Sequence, residues 1–485
     1  MTLALQEFSA DWDSLIAGFQ CPDWFRDAKF GVWSHWGPQS LPCQGDWYAR
    51  YMYVEGHPIY NYHCRTYGHP SKVGFKDICQ QWTADKFDAE ALVDLYKANG
   101  AKYIMGQAAH CDNFDLWNSK HHKWNAVNYG PKQDILGAWS RAAKNAGLPF
   151  GFSEHLAWSY SWFNVNKGCD SSGPYAGVPY DGNDPAYQDF YFEPHDDTAG
   201  QYPLNPSEAF VNSWKNRMID AIDQLEPDIM YTDGGLPFGK TGLEVMAYFY
   251  NRSLERNDGE LLGVYTYKDV LGRRPGSNLN IGEFRPGAGV EDLEKGVLGH
   301  IMEEPWQTDT SSGPWYYNMN DRYKTPQEIV HMLVDIVSKN GNLLLNYTQR
   351  PDGSLDEVTT WTVKEVGNWL ATNGEGIYGT RPWKTYGEGP VRFQEGEMKE
   401  DLDSEFTPKD FRFTRKDNHV YAFGFAPGNG EWCIQALGDE KVRNVSLLGS
   451  KDSITWHNDP GGLKVTLPKN LAGHSAWTLK VELED

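Results

Sequence analysis

The sequence predicts a (β/α)8-like barrel over residues 1–385 and a small antiparallel β-sandwich over residues 386–485. Three observations predict this. Helix–Gly–strand units recur from about Phe25 to Pro382, the pattern of a parallel α/β sheet. The length of that stretch favours a closed barrel over a doubly wound sheet. After about Gly387 the pattern changes to short, near-alternating apolar runs separated by Gly, Asn, Asp and Pro, as in an antiparallel sandwich.

The barrel units follow in order. In Phe87–Met105, Asp88 is the expected N-cap, and Ala91, Leu92, Leu95 and Tyr96 recur at helical spacing. Gly100 stops that helix, and AKYIM reads as a buried strand. AWSRAAKNAG then reads as helix and LPFGFS as strand. FVNSWKNRMIDAIDQL and DIMYTD repeat the unit, and so do PQEIVHMLVDIVSKNG and NLLLN. Beyond them, FRFTRKDNHVYAFGFA, EWCIQAL, RNVSLLG, LKVTLP and SAWTLKVEL are the expected sandwich strands, and they carry little recognisable chemistry.

Charge excludes some partners. The chain has 485 residues, 44 basic against 66 acidic, for a formal net charge of −22. Nucleic acid and anionic membrane surfaces both want a basic face, so neither is an expected partner. No apolar run approaches the roughly 20 residues of a membrane span. The opening MTLALQEFSADWDS lacks the basic flank and apolar stretch of a signal peptide. A removed signal leaves no trace, and a periplasmic or secreted location is the expectation. The 7 Cys are scattered, odd in number and without a C-x-x-C pair. That excludes a full disulfide framework and leaves room for one or two bridges. Aromatic residues make up 14 % of the chain, with 20 Trp, which supplies a large core and flat faces suited to sugars.

In a parallel barrel the chemistry sits at the C-terminal ends of the strands. Four such ends carry polar groups: Ser34-His35-Trp36-Gly37, His110-Cys111-Asp112, Ser153-Glu154-His155, and Tyr231 with Asp233. A single histidine there is most simply a hydrogen-bonded structural residue, but four coincident cases point to a site. Asp233 is the sharpest candidate. It closes an apolar run, and Gly234-Gly235 after it would let a ligand approach. A glycosidase needs two carboxyl groups flanking the scissile bond. Glu283 is the candidate partner, with Glu303 and Glu304 as rivals.

Three other motifs fall away on physical grounds. Gly234–Thr241 reads GGLPFGKT and formally matches a P-loop. Pro237 has no N–H to offer a phosphate, and Asp233 would repel one. His121 and His122 are adjacent rather than spaced for zinc. The acidic stretch Asp181–Asp197 lacks ordered calcium-ligand spacing and reads as a solvated or substrate-covering loop. No metal and no cofactor is called for.

WFRDAKFGVWSHWGPQSLP, FDAEALVDLYKANGAKYIM, FDLWNSK, GPKQDIL and SKNGNLLLNYTQRPDGSL stand in that order. Over Pro22 to Trp383 this resembles glycoside hydrolase family 29, the retaining α-L-fucosidases. The resemblance implies a (β/α)8-like catalytic domain, a C-terminal β-sandwich, and an oligosaccharide or polysaccharide substrate. It implies Asp233 as nucleophile, with Tyr231 where the family has Trp. His35, His110, Asp46 and Trp47 fall on sugar-contacting positions, Lys268 where an arginine lies near the sugar, and Trp306 at a segment like its W-E/Q-T. Glu283 lies in the stretch where the acid/base is sought. Departures are also plain: Cys111 replaces the second histidine of a pair, and Asp46 is one methylene shorter than Glu. Phe152 replaces a tyrosine, with His155 in a position to fill in. These changes bear on the pocket around C4 or C6 of the sugar, so α-L-galactose, free or in an algal galactan, is the alternative glycone. An inactive carbohydrate-binding protein on the same scaffold is the alternative from another class.

Overall fold

Eight short parallel strands close on themselves, each hydrogen-bonded to its neighbours. They are β1 (Phe30–Ser34), β2 (Tyr103–Ala109), β3 (Phe150–Glu154), β4 (Ile229–Thr232), β5 (Val264–Tyr267), β6 (Val290–Asp292), β7 (Trp306–Ser311) and β8 (Gly341–Asn346). Closure is made by β1, where Val32 lies opposite Ile104 of β2 on one side and Leu345 of β8 on the other. The computed structural model describes residues 7–197, 202–269, 282–400, 405–469, 471 and 475–484.

The expected helices form, with the expected stops. Ala89–Ala98 is capped by Asp88, whose carboxylate accepts the Ala91 N–H at 3.0 Å. Ile135–Asn145 is capped by Asp134, Glu208–Leu225 by Ser207, and Pro326–Ser338 by Thr325 with Glu328 returning the bond. Each such cap contributes about 1 kcal/mol. Strand residues alternate between two environments. Trp33, Tyr103, Met105, Tyr231, Val290 and Leu344 fill the barrel interior, while Val32, Ile104, Phe152, Met230 and Leu343 face the helices. Gly31 is required by this packing, since a Cβ there would sit 2.1 Å from the Tyr103 ring.

The C-terminal part is a two-sheet sandwich. One sheet has the order β13-β16-β11-β10-β9 and the other β12-β15-β14. Their ranges are β9 Arg381–Glu388, β10 Phe411–Lys416, β11 His419–Gly424, β12 Glu431–Ile434, β13 Val442–Leu447, β14 Thr455–Asp459, β15 Gly462–Thr466 and β16 Trp477–Leu483. The first strand, β9, straddles the boundary expected at 385/386. Phe411, Phe413, Trp432, Leu463 and Leu479 fill the space between the sheets. The outer face of the larger sheet, with Tyr421 and Phe423, packs into the same cluster as Trp369 and Ile377 of the barrel side. A buried ion pair, Arg412 Nε to Asp335 Oδ1 at 2.5 Å, crosses this junction. All seven cysteines are free. Among the described residues, no helix is long and apolar enough to cross a membrane.

Candidate active site

Asp233 directly follows β4 and faces a pocket of about 430 Å³ at the C-terminal mouth of the barrel. Its main chain is locked on both sides: its N–H bonds the Glu154 carbonyl at 3.0 Å, and its carbonyl accepts the Trp158 indole N–H. Lys268, just after β5, donates from Nζ to Asp233 Oδ1 at 2.6 Å and to Glu294 Oε2 at 3.1 Å. The same ammonium stands 4.0 Å from Asp309 on β7. Tyr231 approaches Asp233 Oδ1 from below, its hydroxyl at 3.3 Å.

This cluster sets the charge states. Burial resists ionisation of Asp233, but the Lys268 ammonium and then His155 outweigh it and hold the carboxyl well below its ordinary value. Burial likewise disfavours the Lys268 cation, and Asp233, Asp309 and Glu294 more than reverse that. Asp309 goes the other way: burial and the neighbouring Asp292 push it well up. Asp233 is therefore held as a carboxylate near neutral pH.

Three imidazoles form the facing wall. His35 follows β1, His110 follows β2 and His155 follows β3, with ring centroids 4.7–5.2 Å apart. Burial lowers the pKa of all three, so they are neutral near pH 7. Among the described residues they are the one group of His, Cys, Asp and Glu side chains close enough to share a metal ion. The tautomer of His110 suits another ligand. Gln39 accepts the Ala49 N–H with Oε1, so its Nε2 faces His110 and donates to Nδ1 at 2.9 Å. The His110 proton then sits on Nε2, a donor fitted to a hydroxyl oxygen rather than to a cation. Cys111 shares this wall as an inert thiol, since burial pushes its pKa well up. Asp46 does too; burial raises it to about 7, although the Trp47 N–H bound to its Oδ1 at 2.8 Å works against this.

Eight residues named from sequence thus meet in one pocket: His35, Asp46, Trp47, His110, Cys111, His155, Asp233 and Lys268. Tyr231 lies behind them, fully buried, in the barrel interior. Glu283 lies elsewhere. It lines a neighbouring groove that shares only Lys268 with the pocket. Its main chain pairs with Leu236 through two hydrogen bonds of 2.8 and 3.0 Å, and its half-exposed carboxylate bonds Arg285 at 2.7 Å. That pairing also corrects the reason for Gly235, whose missing side chain makes room for the Gly282 backbone, 2.6 Å from where a Cβ would be. Trp306 is not a pocket residue. It opens β7 at the far end of the strand, buried, with its indole N–H on the Lys339 carbonyl. Glu303 and Glu304 precede it and are exposed. The acidic stretch 181–197 is not simply a solvated loop: Asp181 is buried under the hydroxyls of Tyr53 and Tyr191, and Asp197 caps Ser161 and the Asn205 N–H.

Sequence reading missed Glu294, Trp158, Trp315 and Met398, which also line the pocket. Glu294 follows a strand of only three residues, too short to show a period. No sequence pattern near Met398 points to the barrel mouth.

Known proteins match this chain throughout. The α-L-fucosidase family model matches residues 1–375, and the α-L-fucosidase C-terminal domain model matches residues 404–482. The rat tissue α-L-fucosidase is 26 % identical over 495 residues, covering 99 % of this chain and 93 % of that one. In fold, the chain is similar to a Thermotoga maritima α-fucosidase in complex with fucose, with TM-score 0.72, 24 % identity, and coverage of 98 % and 100 %. It is also similar to a Bacteroides thetaiotaomicron α-L-fucosidase trapped as a covalent intermediate, with TM-score 0.63, 17 % identity, and coverage of 96 % of both chains. With the site at the strand ends and the family models spanning both domains, the chain belongs to the α-L-fucosidase family, glycoside hydrolase family 29.

Proposed function

We propose that this enzyme releases terminal α-L-fucose from glycans with retention of configuration, using Asp233 as nucleophile and Glu294 as acid/base. One observation carries the reading. Lys268 bonds both carboxylates, and its two distances, 2.6 and 3.1 Å, together bound the separation of the bonded oxygens at about 5.7 Å. Retaining glycosidases hold their carboxyl groups about 5–5.5 Å apart, and inverting ones roughly 6.5–9.5 Å. The relative trapped as a covalent intermediate supports the same chemistry.

The steps follow from these positions. An Asp233 oxygen attacks the anomeric carbon as the bond to the leaving oxygen breaks. The electron pair of that bond goes to the leaving oxygen, which takes the proton of Glu294. Water then attacks the glycosyl-enzyme, gives its proton to Glu294, and returns Asp233 as a carboxylate. His35, His110, His155 and Trp47 supply donors, acceptors and a flat face that orient the ring. Lys268 keeps Asp233 ionised between steps.

The assay is release of 4-nitrophenol from the paired α-L-fucoside and α-L-galactoside at equal concentration. Faster turnover of the fucoside is expected. Preference for the galactoside would favour the second reading, for which the presence of Cys111 and Asp46 in the pocket wall is the supporting observation. Sugar binding without turnover by titration calorimetry would favour an inert binder.

Two predictions arise here. Glu294→Gln should lose roughly 10²–10⁴-fold in kcat/KM on fucosides with poor leaving groups, the range a positioned general acid supplies. Glu283→Gln, at a half-exposed position, should stay within about twofold of the parent. The reverse ranking would return the role to Glu283. Second, burial raises the Asp46 carboxyl to about 7, so below that value it can offer a proton to a sugar hydroxyl and above it that donor is lost. KM for the fucoside should rise through pH 7 in the parent and stay flat in Asp46→Asn. An inflection surviving in the Asn variant would assign it to another group.

A further inference from the structure

Residues 389–400, which follow β9, leave the sandwich and reach the barrel mouth. Gly396 and Val297 exchange two main-chain hydrogen bonds, at 3.0 and 2.8 Å. The Met398 N–H donates to the carbonyl of Glu294 at 2.9 Å, and the Lys399 N–H to that of Lys295 at 3.1 Å. Four bonds thus tie residues 396–399 to residues 294–297. Just beyond, Glu400 pairs with Lys324 at 3.0 Å, both side chains largely buried, and Lys324 also donates to the Ser311 carbonyl at the end of β7.

Met398 is conspicuous within this ladder. Its φ is 53, the left-handed region that favours glycine, and its side chain is half exposed where it lines the pocket with Asp233 and Glu294. A strained non-glycine residue persists only where its surroundings over-determine it. The flanking main-chain bonds do so here. A half-exposed thioether at the pocket mouth offers a soft surface to a neighbouring sugar or aryl group.

We propose that this loop of the C-terminal domain is a working part of the active site: its ladder positions Glu294 for proton transfer, and Met398 packs on the leaving group. The inference rests on Glu294 being the acid. That residue follows β6, and β7 holds the main chain on either side of it, the Leu293 and Lys295 N–H groups bonding the Gln307 and Asp309 carbonyls at 3.0 and 2.9 Å. Proton donation needs a carboxyl within hydrogen-bond reach of the glycosidic oxygen. The ladder supplies a second strand-like partner to the segment that carries it. Met398 bonds the main chain of the acid residue itself, and its side chain lines the same pocket as the Glu294 carboxylate, next to where the leaving group takes its proton in this reading.

The test uses the full chain and two leaving groups. Dinitrophenolate departs without a proton, whereas a sugar hydroxyl needs one. Gly396→Pro removes the N–H given to Val297 and cannot adopt the native φ of 134. On a fucosyl disaccharide, kcat/KM should fall at least about tenfold, a fraction of what a positioned acid supplies, while 2,4-dinitrophenyl α-L-fucoside should change less than about threefold. An equal fall on both substrates, or no fall on either, would overturn the positioning role. If thermal melting shows that Gly396→Pro does not fold, Glu400→Ala removes the ion pair to Lys324 just beyond the ladder by side chain alone and should give the same asymmetry. Met398→Ala should raise KM for the disaccharide several-fold with kcat retained, and an unchanged KM would remove Met398 from the leaving-group site. A parent enzyme inert on every α-L-fucoside would instead overturn the fucosidase reading, and this inference with it.

Discussion

Asp233→Gly is expected to lower kcat/KM on aryl α-L-fucosides at least about a thousandfold, roughly 4 kcal/mol of barrier. The loss is that large because no neighbour can take over. Asp309 is buried behind the cluster and pushed toward its protonated form by burial and Asp292, and Glu294 is tied to the far side of the Lys268 ammonium at 3.1 Å. The fold should survive. The main-chain bonds from residue 233 to Glu154 and Trp158 do not use the side chain, and Lys268 keeps Glu294 as a partner. Residual activity above a few per cent would refute the role of Asp233. Circular dichroism and the melting midpoint of the variant separate lost chemistry from lost structure.

Lys268→Met is expected to be the most disruptive single change to both stability and pH behaviour. The side chain is 3 % exposed and faces Asp233, Glu294 and Asp309. Removing one partner of a buried ionic cluster costs roughly 3–5 kcal/mol, because the remaining charges stay buried without a counter-ion. The sign with pH follows by linkage. In the parent, the folded-state pKa of Asp233 is depressed, so its contribution is fully present above the ordinary value of 3.8 and is lost as pH falls through the folded-state value. Without Lys268 the burial of Asp233 is opposed only by its histidine neighbours, which are uncharged near pH 7, so its pKa is expected to rise above 3.8 and stability to fall as pH rises. The variant should therefore melt higher at pH 5 than at pH 8, and the acid limb of its kcat/KM profile should move up by more than about one unit. A variant with the parent's acid limb would show that Lys268 does not set the charge of Asp233. Lys268→Arg keeps the charge and should recover part of both properties.

How far the sequence disclosed this site depended on strand length. β2, β3, β4 and β8 are runs of four to seven buried residues that end in, or are directly followed by, a polar group. Their ends could be located, and with them His110, His155 and Asp233. His35 closes β1 in the same way. Glu294 was hidden because β6 has three residues within GAGVEDLEKG, where no period can build up. Glu283 was the better-looking candidate from sequence, since it follows an apolar segment; its main chain turns out to pair with Leu236, which carries the carboxylate away from Asp233. Trp306 misled for a related reason: a large aromatic beside a strand reads the same at either end, and this one opens β7 rather than closing it. Asp46 and Trp47 sit in an irregular loop where periodicity says nothing, and only the resemblance to the family pointed to them. Met398 required the third dimension. It arrives from a loop of the second domain, and its place in the pocket is fixed by main-chain bonds to residues about a hundred positions earlier.

The most direct test of the account is to trap the glycosyl-enzyme. The enzyme would be incubated with 2-fluoro-fucosyl fluoride, and its intact mass and then its peptides measured. A retaining mechanism through Asp233 predicts one added fluorofucosyl group per chain, on the peptide containing Asp233, with activity returning as the adduct hydrolyses. An unmodified chain that nevertheless consumes the reagent, or a label on any other carboxylate, would contradict it.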